Sequence, residues 1–114
     1  MNKKREEKVL LLADTMLEAV GHLKQRLAEG KLENNLYLFK DMMEAFLTIE
    51  KIIEKREDID IKAETEDLKK SFEVITSYYE QENYNDIRSF FNFVFLPAFE
   101  AWNRQIIKNY GQIH

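Results

Sequence analysis

From Arg88 to Ile107 the chain reads RSFFNFVFLPAFEAWNRQII, and no other stretch restricts the fold as much. It holds five of the eight phenylalanines, the one tryptophan and the one proline. Each residue of an α-helix advances about 100° around the axis. With Phe95 at the centre of a face, Tyr84, Phe91, Ala98, Phe99, Trp102, Ile106 and Ile113 fall within about 60° of it. That is the stripe of an amphipathic helix, made of the side chains that bury the most area. Phe90, Phe93 and Pro97 fall on roughly the opposite side, with Leu96 and Ile107 on a flank. A helix apolar on so many sides is either central in its core or covered by a partner. Pro97 cannot donate a hydrogen bond to the carbonyl of Phe93, and its ring crowds that carbonyl, so a kink is expected there. The periodicity continues across the proline, which favours one bent helix over two.

Three glycines, one proline and no hairpin dipeptide leave little room for strands. The spacing predicts an all-α chain. In the first helix, about residues 3–29, Val9, Ala13, Met16, Val20, Leu23 and Leu27 follow steps of four and three, a heptad seam. Leu10, Leu11 and Leu17 lie outside that seam, so this helix touches a second neighbour or leaves apolar surface exposed. Gly30 suits the left-handed residue that stops it.

The second helix, about 33–56, centres on Leu32, Phe39, Met42, Met43, Phe46, Ile49 and Ile53. Asp58 or Asp60 is the expected N-cap of the third, about 63–81, whose face is Leu68, Phe72, Ile75 and Tyr79. The fourth covers about 85–109, with Asn83 or Asn85 as its cap. Short connections make these helices antiparallel neighbours. The expected fold is a single-domain, up-down-up-down four-helix bundle spanning 1–114, with its last helix kinked near Pro97. The two helical hairpins are faintly alike, and their turns align best at a shift of 52 residues.

Seventeen basic and 21 acidic side chains give a net charge of −4 with the signs interspersed, which argues against a nucleic-acid partner. The absence of cysteine excludes disulfides, iron–sulfur clusters and thiol catalysis, and fits a cytoplasmic location. The longest apolar run, Phe93 to Phe99, is far below the ~20 residues of a membrane span, so no integral membrane association is expected. A di-iron bundle needs paired Glu-x-x-His motifs, yet His22 is the one internal histidine and His114 is terminal. No metal, no cofactor and no catalytic residue are expected, and the chain is read as not an enzyme.

Two groups of residues carry the functional expectations. Phe90, Phe93, Leu96 and Pro97 form a candidate partner-binding surface, unless the kink turns these rings inward. Asn35, Glu50 and Trp102 are candidates for an internal polar site, since a buried carboxylate must be paired, hydrogen-bonded or protonated. Glu50 then serves either as a ligand contact or general acid, or as a structural partner of the Trp102 indole N–H.

In length, helix order and the turns GKLENNLYLF and ENYNDIRSFF, the chain resembles small bacterial four-helix proteins, among them the flagellar export chaperones and several families of unknown function. That resemblance is architectural and implies a client-binding, chaperone-like role. The leading expectation is a non-catalytic interaction module, docking a partner helix or a second copy of itself (a homodimer) through the last helix. The alternative is a small-ligand-binding or catalytic bundle built around Glu50 and Trp102.

Overall fold

The computed structural model describes residues 3–111. Ile113, placed on the core stripe from its spacing, and His114 lie outside the described residues. The molecule is a four-helix bundle, up-down-up-down, with extents of 46 × 22 × 19 Å. Its first three rods are α1 (Lys3–Ala28), α2 (Leu36–Glu54) and α3 (Lys62–Glu80). The fourth rod is composite: α4 (Tyr84–Phe90), a π-helical turn (Phe91–Phe95) and α5 (Leu96–Tyr110).

The expected seams of α1 and α3 are the ones buried. Of the expected α2 face only Phe39, Met42, Phe46 and Ile49 are buried, with Met43 and Ile53 half-buried and Leu32 half-buried ahead of the helix. All six seam residues of α1 lie in the core, as do Leu68, Phe72, Ile75 and Tyr79 of α3. Full burial of side chains this size contributes about 1.5–3 kcal/mol each. The rods pack in a ring, with α2 and the fourth rod facing each other diagonally and running the same way. Aromatic pairs cross that diagonal: Phe39 meets Phe91 and Phe95 at ring-centroid distances of 6.3 and 5.5 Å, and Phe46 meets Trp102 at 5.4 Å.

The kink expected at Pro97 takes the form of the π turn. Buried Ile87, Phe91, Phe95 and Phe99 follow one another in steps of four. On a regular α-helix each such step overshoots a full turn by about 40°, so three would carry the stripe about 120° off the core. A π turn takes up one extra residue and cancels about 100° of that drift. Leu96 donates its N–H five residues back to the Phe91 carbonyl, and Pro97 follows immediately, where an α-helical ladder would have required its missing N–H. Ile87, which sequence spacing left off the stripe, is thereby fully buried.

One expected cap is corrected, and another holds in position but not in its bonding. Ile61, not Asp58 or Asp60, occupies the N-cap position of α3 and is itself buried. The Asp60 carboxylate accepts the Lys62 N–H at 3.5 Å. Asn83 stands at the start of α4, but its side-chain amide donates to Asp86 at 2.9 Å rather than capping a backbone N–H.

The faint likeness of the two turns has a structural counterpart. Gly30 follows α1 at φ 79°, with Gly30 N–H donating to the Leu27 carbonyl and Lys31 N–H to the Arg26 carbonyl. Glu82 follows α3 at φ 56°, with Glu82 N–H donating to Tyr79 and Asn83 N–H to Tyr78. Both are Schellman stops, 52 residues apart, but the second places a side chain in the left-handed region that favours glycine. Glu82→Gly is therefore expected to stabilise the bundle by about 0.5–1 kcal/mol, and Gly30→Ala to destabilise it by about 1 kcal/mol, in urea melts.

Candidate functional site

The fourth rod lies between α1 and α3, so its outer side chains divide three ways. The π turn swings Phe90 toward α3, where its ring meets Tyr78 edge-on at 5.6 Å and is half-buried. Leu96 leans the other way and lines a small depression with Leu17, Val20 and Gly21 of α1. Phe93 and Pro97 stand outward, and Phe93 is 80% exposed, the most exposed large apolar side chain among the described residues. Val94, which sequence reasoning passed over, is 45% exposed beside it. The two open possibilities are thus divided between residues, since the turn takes Phe90 inward and leaves Phe93 out. No charged residue occurs from Ser89 to Phe99, about three turns of helix.

The three candidates for an internal polar site do not converge. Asn35 is fully buried where α2 begins. Its amide donates to the Lys31 carbonyl at 2.9 Å and the Tyr79 hydroxyl at 3.2 Å, and its oxygen accepts from Arg26 Nε. Arg26 also donates to the Glu33 carbonyl at 3.2 Å. This network ties α1, the first turn, α2 and α3 together. Burial pushes the Tyr79 hydroxyl pKa up, opposed by the bond from Asn35. Glu50 lies 15 residues further along α2, about 22 Å away along the axis. It is half-buried and pairs with Lys69 of α3 at 3.5 Å, not with Trp102. The Trp102 indole N–H is buried among Phe46 and Phe99 without a hydrogen-bond partner among the described residues.

A second polar cluster was not legible from spacing. Arg56, after α2, donates to Glu6 of α1 at 2.8 Å and to both carboxylate oxygens of Asp58, while its guanidinium carbon lies 5.7 Å from the Tyr110 ring centroid. One cation thus joins both chain-terminal helices to the second turn. Its bonds hold the Asp58 carboxyl well below the usual range, at about 2. A carboxyl with a depressed folded-state pKa stabilises fully above its unfolded value and loses that contribution as pH falls through the folded one. The stability advantage of wild type over Asp58→Asn is therefore expected to hold above about pH 4 and to fade toward about pH 2, as read from urea melts.

Beside this cluster, a cleft of about 610 Å³ between the ends of α2 and α3 is lined by Glu50, Glu54, Glu57, Asp60 and Glu66, with Arg56 and Lys62. Among the described residues no group of three His, Cys, Asp or Glu side chains could hold a metal ion. His22 stands exposed on α1. No helix among the described residues is long and apolar enough to cross a membrane.

A groove of about 460 Å³ separates α1 from α5, lined by Leu10, Leu11, Leu17 and Ile107 and edged by Glu7, Asp14 and Asn103. Leu11, Leu17 and Ile107 are 67, 46 and 53% exposed. The leucines outside the α1 seam are its sequence signal; that Ile107 completes it follows only from the packing of the fourth rod.

Compared with known protein families, residues 7–105 match the one described as Domain of unknown function (DUF8042). No curated protein and no solved structure matches the chain.

Proposed function

The chain belongs to the family described as Domain of unknown function (DUF8042), and we propose that it is a non-catalytic interaction module docking through the outer ridge of its last helix. The observation that carries this reading is Phe93, 80% exposed at the middle of an uncharged run in a chain with 33% charged residues. An aromatic ring left in water on a rigid helix is an anchor awaiting a cover, and its burial would contribute about 1.5–3 kcal/mol. Of the expected surface Phe90, Phe93, Leu96 and Pro97, the outward Phe93 and Pro97, with Val94 beside them, supply the apolar anchors used in helix-to-helix docking. Half-buried Phe90 and Leu96 flank them on either side.

The occupant favoured by the charge pattern is a second copy of the chain. Two-fold pairing brings each patch against itself, so a charged face would meet like charge, and the Ser89–Phe99 surface avoids that. A partner helix is the other occupant, and would make the module chaperone-like in a cysteine-free, cytoplasmic setting. That Asn35, Glu50 and Trp102 each serve separate surroundings supports this reading over an internal catalytic site. Apolar docking should hold between about 0.1 and 1 M salt, where surface ion pairs are screened. Sedimentation equilibrium tests this: an association constant that does not weaken with salt supports the ridge, and one that collapses assigns association to charge.

A further inference from the structure

We propose that the groove between α1 and α5 is a second docking site, and that its occupant is an amphipathic helix of another protein whose apolar anchors are flanked by lysine or arginine. The groove meets the Phe93 ridge only at Leu96, and three observations point to it.

The first is shape. The groove runs on from Leu10, Leu11 and Ile107 into the depression formed by Gly21, Lys24, Leu96 and Glu100, and Leu17 lines both. From Glu7 to Lys24 it follows α1 for about 26 Å, the length of a helix of four to five turns.

The second is charge. Glu7, Asp14 and Glu100 stand along the edges against Lys24 alone. None of the three acids forms an ion pair among the described residues. A second copy of a chain of net charge −4 is a poor match for that rim, whereas a basic helix is complementary to it.

The third is Gly21. It sits in the interior of α1, where glycine weakens a helix, and no left-handed backbone requires it there. A Cβ added at Gly21 would meet nothing within 4 Å, so no neighbour within the chain requires it either. Its place on the groove wall gives it a use: a docked helix can approach the α1 backbone closely at that point.

The test uses a fluorescent peptide of about 18 leucine and lysine residues in amphipathic helical order, titrated by anisotropy, with a leucine–glutamate peptide as comparison. Saturable binding of the lysine peptide alone is expected. Asp14→Lys should weaken it at least about tenfold, and so should Gly21→Gln, which fills the approach with a good helix former. Asp41→Lys, on exposed α2 surface, should leave it within about twofold. Gly21→Ala should raise the melting temperature by about 3 °C while weakening the peptide, a split that a purely structural glycine would not produce. No saturable binding, or weakening by Asp41→Lys equal to that by Asp14→Lys, would overturn the proposal, as would binding unaffected by the Asp14 and Gly21 variants.

Discussion

Phe95→Ala is expected to destabilise the bundle by about 3–5 kcal/mol, enough to leave a domain of this size marginal or unfolded. Phe95 is fully buried at the π turn, and its ring meets Phe72 at 5.1 Å, Phe39 at 5.5 Å and Phe91 at 5.5 Å. Truncation removes the transfer energy of the ring and leaves a cavity among aromatics from three rods, which cannot close without moving a backbone. Phe95→Leu keeps most of the volume and is expected to cost less, about 1–2 kcal/mol. Urea denaturation followed by circular dichroism reads both. Equal, small losses would mean that the core repacks around position 95 and that the π turn does not hold the ring in one place.

Asn35→Leu is expected to cost about 2–3 kcal/mol, although it replaces a polar side chain with an apolar one of similar size in a buried position. The reason lies in what stays behind. The Tyr79 hydroxyl, 6% exposed at residue level, and the Lys31 carbonyl lose their donor, and the Arg26 guanidinium loses an acceptor. A buried polar group left alone costs more than its bond contributed. Tyr79→Phe removes one arm of the network and is expected to cost about 1 kcal/mol. The double variant should cost less than the sum of the two, because they share a bond. Strict additivity would show that Asn35 and Tyr79 are not coupled.

How far the letters reach is clearest residue by residue. The α1 seam and the α3 face are local patterns whose period does not change along the helix, and both lie in the core as spaced. Ile87 is the instructive exception. On an unbroken wheel it falls about 80° from Phe95, outside the stripe, and only the π turn brings it under the core. Its signal was present as three successive steps of four, but reading it requires allowing the period to change within a helix. Asn35 was marked as buried, yet its partners come from other rods, nine and 44 positions away, and periodicity carries no information about them. For Glu50 the pattern left a ligand contact, a general acid or a partner of the Trp102 indole open, and it is Lys69 of the adjacent α3 that reaches its carboxylate. Faces are local properties of a helix, and partners are properties of the bundle.

Solution mass by light scattering across a concentration series, for wild type and Phe93→Asp, tests the interaction reading most directly. Phe93 is exposed, so the variant should keep its helicity and melting temperature. Wild type is expected to move from monomer to dimer as concentration rises, while Phe93→Asp stays a folded monomer. A variant that dimerises as wild type does, or a wild type that is monomeric throughout, would contradict docking of a second copy on the helix-four ridge.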